Sequence, residues 1–499
     1  MSHDAKKQLT LFSLVLMIFT SVYGFANMPR AFLLMGYGAI PWYLVGALLF
    51  FLPYALMMAE YGAAYKHEKG GIYSWMSSSV GPKYAFVGTF MWYASYIVWQ
   101  VNVSTSIWVP LSNAIWGEDL TQNINFFGMG PTKWLGILGA LWILLVTFVS
   151  TKGLDKIKQI TSVGGLAIML LNVVLLVGGL IALALQGGNF AEPITNGLST
   201  FTRSPNPNYQ SPLSIVSFLT YAIFAYGGIE AVGGLVDQTK NAERTFPLGV
   251  TISAIVISIG YSLGIFIMGI FINWNAVLSS PSINTANVTY VVMANLGYTL
   301  AHGFGLSEGM SVSIGMWVAR LVGLSMFLAL TGAFFTLIYS PLKQLIEGTP
   351  PSLWPKSFSK SENGMPVFAM KVQAIIVIVL ILLISFGGEN ASALFNKLVM
   401  MTNVAMTIPY MFLAIAFPLF KKKDHIVKPF TIYKSYSIAL IASIIVTITI
   451  GFANIFSIIE PGLAKGNWID TLFAGGGPLI FAIVALLLYR NYENKQSNS

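Results

Sequence analysis

The sequence predicts an all-α polytopic membrane protein with about 12 transmembrane helices, and three observations predict it. The chain is 56% hydrophobic and only 9% charged, with a mean hydropathy of +0.72, whereas soluble domains carry roughly 25% charged residues. Apolar runs long enough to cross a bilayer, about 20 residues each, recur along all 499 residues. The basic residues collect in alternate connections between those runs. No soluble domain is visible, and the bundle is the domain.

Taken in order, the spans fall at 9–36, 41–64, 84–115, 132–150, 157–186, 213–236, 248–273, 311–340, 366–387, 391–420, 435–459 and 471–489. Met1 to Lys7 resembles the basic start of a signal peptide. The run after it is long, has no Ala-x-Ala site before its break and leads into further spans, so it reads as a retained helix. The third, eighth and tenth spans exceed the minimum length, which implies tilt or extension beyond the lipid.

With the N-terminus placed in the cytoplasm, 21 of the 27 Lys and Arg fall in cytoplasmic segments, and 273–310 holds none. Both termini are therefore expected to be cytoplasmic, in the inner membrane. The net charge of +9 is then an orientation device, and no nucleic-acid partner is expected. The stretch 287–304 reads as a helix at the outer surface; as a span it would invert the charge pattern that follows.

Two spans are interrupted. The first loses its pattern over Ser21-Val22-Tyr23-Gly24-Phe25-Ala26-Asn27, just before Pro29. The sixth carries Gly227-Gly228 in mid-run, followed by Glu230. Glycine weakens a helix by up to about 1 kcal/mol against alanine, and a carboxylate in lipid costs several kcal/mol unless partnered. Close helix packing is one explanation of the glycines. The other is a broken helix that offers backbone to a ligand. Matching breaks in the first helix of successive five-helix blocks point to an inverted-repeat carrier. The blocks are 9–186 and 213–420, with two further helices over 435–489.

Other polar groups lie within spans. Gln100 and Asn102 sit beside Trp92, Tyr93, Tyr96 and Trp99, and an amide there suits a polar ligand. Glu230 is a candidate for a proton, a cationic group or a freed amide. Arg320 and Lys397 are intramembrane cations, read as structural or snorkelling. Glu60 ends the second span and is expected to close a gate or cap backbone. With no cysteine, disulfides and thiolate chemistry are excluded. None of the four histidines falls in mid-span, and no P-loop, Gly-x-Ser-x-Gly elbow or paired-His motif appears. An enzyme, a metal site and a cofactor are therefore not expected.

Several motifs carry a family resemblance: Gly24-Phe25 ahead of Pro29; Ala59-Glu60, then Gly70-Gly71-Ile72-Tyr73-Ser74-Trp75 and Gly81-Pro82; Phe224 to Glu230, followed by Lys240 to Pro247; and Lys428-Pro429-Phe430. In this order they resemble the amino acid/polyamine/organocation (APC) transporter superfamily, and within it the glutamate/γ-aminobutyrate antiporters. The resemblance covers nearly the whole chain. It implies a 5+5 inverted repeat with broken first and sixth helices plus two extra helices. It also implies a substrate site at Ser21, Val22, Tyr23 and Gly24, at Ala225, Tyr226 and Gly227, and at Gln100 and Phe335. Phe224 is implied as a gate, and Glu230 as a group linked to pH response. The superfamily's full Gly-Ser-Gly is absent, with Val22 and Tyr23 in its place, so Tyr23 is expected to narrow the pocket or to supply the hydroxyl that the usual serine gives. The acid-resistance glutamate antiporter has a long C-terminal plug that seals its cytoplasmic side at neutral pH; this sequence ends soon after Arg490, so that form of pH gating is not expected.

The expected function is secondary active transport of amino acids or related compounds by alternating access, as an exchanger. A proton-coupled symporter, a transporter-like sensor and a channel are the alternatives. The sensor is disfavoured by short termini with no room for a signalling surface. The expected partners are a small amino-acid substrate and the lipid bilayer, and the sequence allows a homodimer.

Overall fold

The computed structural model of the protein describes residues 9–195, 197–362 and 364–497. Lys6 and Lys7, assigned to the cytoplasmic side from sequence, lie outside them. The described chain is built of helices with short 3-10 and π segments, and no strand occurs among the described residues.

The first span is two helices, α1 (Leu11–Val22) and α2 (Asn27–Met35). The Thr10 hydroxyl caps α1 by accepting the Ser13 N–H at 3.3 Å. The helix ends where Tyr23 leaves helical geometry, at φ −86° and ψ 86°. Gly36, at φ 56°, stops α2. The chain then enters α3 (Ala39–Gly46), a π turn over Ala47–Phe51, and α4 (Leu52–Ala64). As one straight rod, the 54 residues of Leu11–Ala64 would run about 80 Å, far beyond the roughly 30 Å of a bilayer core. The run therefore holds two passes.

Short α5 (Ile72–Ser79) leads to α6 (Pro82–Ser106) and α7 (Trp108–Trp116). The expected third span is thus two helices joined at Ile107. Then come α8 (Pro131–Ser150), α9 (Leu154–Leu185) and α10 (Pro212–Phe224). The expected sixth span ends its α-helix at Phe224 and resumes as a 3-10 helix, Ile229–Gln238. The rest are α11 (Ala242–Phe271), α12 (Val288–Gly303), α13 (Glu308–Ile346), α14 (Val367–Phe386), α15 (Gly388–Lys421), α16 (Tyr436–Lys465) and α17 (Trp468–Ser497). Two helices run past prolines that lie outside the expected spans. Pro247 lies near the start of α11 and Pro461 near the end of α16, where a missing N–H removes one bond only.

Ten helical stretches among the described residues are long and apolar enough to cross a membrane. Leu11–Ala64 is one of them and holds two passes. Helix α6 is not among them, because its aromatic and amide residues lower its hydropathy. Outward faces are apolar: Leu141, Leu144, Leu145 and Phe148 of α8 share one exposed face, as do Ile375, Val379, Leu382 and Phe386 of α14. Such stripes suit lipid rather than water.

One face of the bundle is held by ion pairs between helix ends: Lys66–Glu243 (2.6 Å), Lys69–Glu347 (3.7 Å), Lys343–Asp237 (2.5 Å), Lys421–Glu60 (2.8 Å) and Lys83–Glu493 (3.6 Å). We call it the basic face. The core beneath it is aromatic, with Trp75, Trp92, Tyr226, Tyr261 and Tyr410 fully buried.

Candidate functional site

The two helix breaks meet. Gly228 sits at φ 111°, a conformation open to glycine but strained for other residues. A Cβ on it would collide with the Ser21 carbonyl oxygen. The sixth-span break therefore rests directly on the C-terminal end of α1.

Tyr261 of α11 joins the breaks. Its hydroxyl accepts the Gly24 N–H at 3.0 Å and an amide N–H of Asn27 at 3.3 Å. The same oxygen lies 3.1 Å from the Ala225 carbonyl and 3.3 Å from the Val22 carbonyl, one of which takes its proton. One buried hydroxyl thus bonds to backbone of both interrupted helices: the Gly24 N–H, which also reaches the Val22 carbonyl at 3.1 Å, and the Ala225 carbonyl. Asn27 is held further by Tyr221, whose hydroxyl donates to Oδ1 at 3.2 Å.

A cavity of about 660 Å³ opens at this crossing. Ser21, Val22 and Gly24 line it from the first span, and Phe224, Ala225, Gly227 and Gly228 from the sixth. Tyr96 and Trp99 of α6, Leu330, Ala333 and Leu337 of α13, and Asn403, Thr407 and Tyr410 of α15 form other walls. A second cavity of about 370 Å³ shares Thr20, Gly24, Asn27 and Leu330 with the first and adds Tyr23 and Arg30. The Arg30 Nε–H donates to the Thr285 carbonyl at 2.7 Å.

Electrostatically the break is bipolar. Carbonyls at the end of α1 carry partial negative charge, and the N–H groups that open α2 carry partial positive charge. The residue before α2 is Ala26, and no side chain caps that end. The Asn27 and Met28 N–H groups bond to the Gly24 and Phe25 carbonyls at 2.9 and 3.2 Å. Among the described residues, the donors left at the break are therefore the Phe25 and Ala26 amides, which line the smaller cavity, while Ser21 and Val22 at the end of α1 line the larger one. Donors and acceptors a few residues apart suit a zwitterion.

Several expected residues stand elsewhere. Tyr226 is fully buried, and its hydroxyl donates to the Tyr43 carbonyl at 3.0 Å. Tyr23 reaches away from the main cavity to donate to Asn172 Oδ1 at 2.9 Å. Phe335 is absent from the cavity wall, since Ala333 and Leu337 of the same helix face it and two residues turn an α-helix by about 200°. Gln100 is buried against Gln373, which approaches its Oε1 at 3.5 Å, and its own amide nitrogen has no partner among the described residues.

Glu230 lies behind the cavity, fully buried. Its Oε1 accepts the Trp92 indole N–H at 2.9 Å and the Tyr96 hydroxyl at 3.2 Å, and its Oε2 accepts the Gly228 N–H at 3.2 Å. That same N–H lies 2.9 Å from the Tyr410 hydroxyl. The carboxylate therefore holds the break in shape and touches two tyrosines that line the cavity.

Glu60 is remote. Its Oε1 accepts the N–H groups of Ile432 and Tyr433 at 2.6 and 2.7 Å, and Lys421 pairs with Oε2. Arg320 donates to the Trp116 carbonyl at 3.1 Å and stacks 4.8 Å from the Trp317 ring, while Lys397 lies 4.4 Å from the Phe473 ring. Sequence reasoning missed Tyr261, Tyr221, Tyr410, Asn403 and Thr407, and named Asn27 only as part of the first break. Each is a common residue type inside an apolar run, and nothing local distinguishes it from packing. Asn27, next to the Gly24 break, had the one usable signal.

A lipid-embedded helical bundle whose interrupted helices cross at a central cavity has the architecture of a membrane carrier. The family model for amino acid permeases matches residues 9–487, and the chain belongs to that family. It is 54% identical over 493 residues to the inner membrane transporter YjeM of Escherichia coli (strain K12), covering 99% of this chain and 97% of that protein. More distantly, it is 24% identical over 440 residues to the aspartate/glutamate permease AcaP of Lactococcus lactis subsp. cremoris, covering 87% and 84% of the two chains. It is 25% identical over 459 residues to a glutamate/γ-aminobutyrate antiporter of Lactococcus lactis subsp. lactis, covering 90% and 83%. The chain is thus a transporter and not an enzyme.

Proposed function

We propose that the protein is an inner-membrane carrier that exchanges amino acids or closely related compounds by alternating access, with both termini cytoplasmic. The observation that carries this reading is the crossing of two helix breaks at one cavity, tied by the Tyr261 hydroxyl. The α-carboxylate of the substrate is assigned to the open amides before α2, and the α-amino group to the carbonyls of Thr20 to Val22 and of Ala225. Phe224 is assigned to close over the bound molecule. The two breaks belong to inverted five-helix repeats, 9–186 and 213–420, with 435–489 outside them. The charge pattern of the connections supports the orientation.

Counterflow in proteoliposomes at matched pH is the test. Uptake that depends on internal substrate is expected. Uptake into empty vesicles driven only by a pH gradient would instead favour proton symport. Glu230 gives that second reading its one specific support, because Tyr96 and Tyr410 connect its carboxylate to the cavity wall. Glu230→Gln separates the two: an exchanger loses affinity as the break loosens, whereas a symporter also loses its dependence on pH.

A further inference from the structure

The cavity wall includes a helix outside the two proposed repeats. Ser457, Glu460 and Pro461 of α16 face into it at the spacing of one helical face, and Asn454, one turn earlier, accepts the Thr407 hydroxyl at 2.5 Å. Among the described residues lining this cavity, Glu460 is the one charged side chain. Its Oε1 accepts the Ser217 hydroxyl of α10 at 2.5 Å, which aims it from the end of the cavity remote from the basic face. No Lys, Arg or His among the described residues pairs with it. Arg30 lies in the adjoining cavity and donates to the Thr285 carbonyl.

A carboxylate in a partly buried, mostly apolar wall is costly without a counter-charge. A cation entering the cavity supplies one, and a second carboxylate entering the cavity is repelled. We propose that Glu460 forms a cation subsite that selects amino acids with an ammonium or guanidinium side chain over dicarboxylic ones. This rests on the reading of the cavity as the amino-acid site. It separates this chain from relatives named for aspartate, glutamate or γ-aminobutyrate. The backbone of the breaks takes the α-groups, which every amino acid shares, and the far wall then reads the side chain.

The test uses the full chain in lipid nanodiscs, with lysine, arginine, alanine and glutamate as probes in equilibrium binding. Lysine or arginine is expected to bind at least about tenfold more tightly than glutamate. Glu460→Gln should cut the lysine-to-alanine affinity ratio at least about tenfold, the usual range for a lost hydrogen bond to a charged group. Glu460→Asp, which keeps the charge, should retain most of the ratio. Ser217→Ala should lower it by a smaller factor, and this tests the subsite even if Glu460→Gln fails to fold. Glutamate binding better than lysine, or an unchanged ratio in Glu460→Gln, overturns the subsite while leaving the amino-acid site standing. If none of the four probes binds the wild-type chain, the amino-acid reading itself falls, and the subsite with it.

Discussion

At the scale of single residues, one hydroxyl and one carboxylate do most to hold the interrupted backbone. The Tyr261 hydroxyl lies within hydrogen-bond range of Gly24, Val22 and Ala225. Tyr261→Phe keeps the ring and its edge-on packing with Tyr23 at 4.8 Å but leaves those groups without that partner. A buried unsatisfied group costs about 1–3 kcal/mol, so substrate affinity should fall roughly tenfold or more, and the melting temperature should drop by several degrees. Binding titration and a thermal melt in detergent measure the two effects, and wild-type values in both would show that the Tyr261 hydroxyl does not tie the breaks together. Glu60 has a different task. Glu60→Gln leaves the nearly buried Lys421 without its counter-ion, at a cost of about 3 kcal/mol. The double variant Glu60→Gln/Lys421→Met should melt higher than Glu60→Gln alone. A lower melt would show that the pair is not what ties α4 to the end of α15.

Among elements, the breaks are decided by where helix geometry fails and what lies against the failure. The sixth-span run is apolar throughout, yet its α-helix stops at Phe224 and a 3-10 helix begins at Ile229. Gly228 makes this workable because its φ of 111° and its contact with the Ser21 carbonyl both exclude a Cβ. Gly228→Ala should therefore destabilise the protein by about 2–4 kcal/mol, from the disfavoured backbone and the clash together. Gly227→Val acts differently. Its Cβ would lie 2.9 Å from the Tyr410 hydroxyl at the cavity wall, so binding should fail while folding largely survives. A normal dissociation constant for Gly227→Val would refute the assigned site.

In the whole molecule, ion pairs hold one face and the cavity lies away from it. Lys343 is almost completely buried, bonded to Asp237 and to the Gly234 carbonyl at 2.9 Å. Gln344 of the same helix accepts the Ile72 N–H at 2.9 Å and donates to the Ala231 carbonyl at 3.2 Å. Ser340 also donates to Ala231. Helix α13 thereby clamps the 3-10 half of the sixth span to α5. Under the proposed alternating access this clamp opens, and Asp237→Asn, which removes the Lys343 counter-charge, should loosen it. The chain has no cysteine, which gives thiol labelling a clean background. Ser457→Cys, at the cavity wall, should react with a hydrophilic maleimide. Leu235→Cys, fully buried, should stay unreactive until Asp237→Asn is added, which should raise its labelling rate several-fold. Equal rates with and without Asp237→Asn would argue against a closed basic face held by this pair.

The sequence by itself determined the class of fold, the interrupted spans and the family, because each rests on local signals: run length, glycine in mid-run, motif order. It also pointed to Ser21, Val22, Gly24, Phe224, Ala225 and Gly227, which line the cavity, since a helix break exposes its own neighbours wherever the rest of the bundle lies. Which side chains face the cavity was decided only by tertiary structure. Phe335 and Gln100 sit on helices that do contribute to the site, but a rotation of about 100° per residue sends them to other neighbours. Tyr261, Tyr410 and Glu460 come to the breaks from distant helices, and their sequence surroundings are as apolar as any other span. Helix rotation and inter-helix contact depend on packing across the whole bundle, and a one-dimensional pattern of apolar residues does not carry that information.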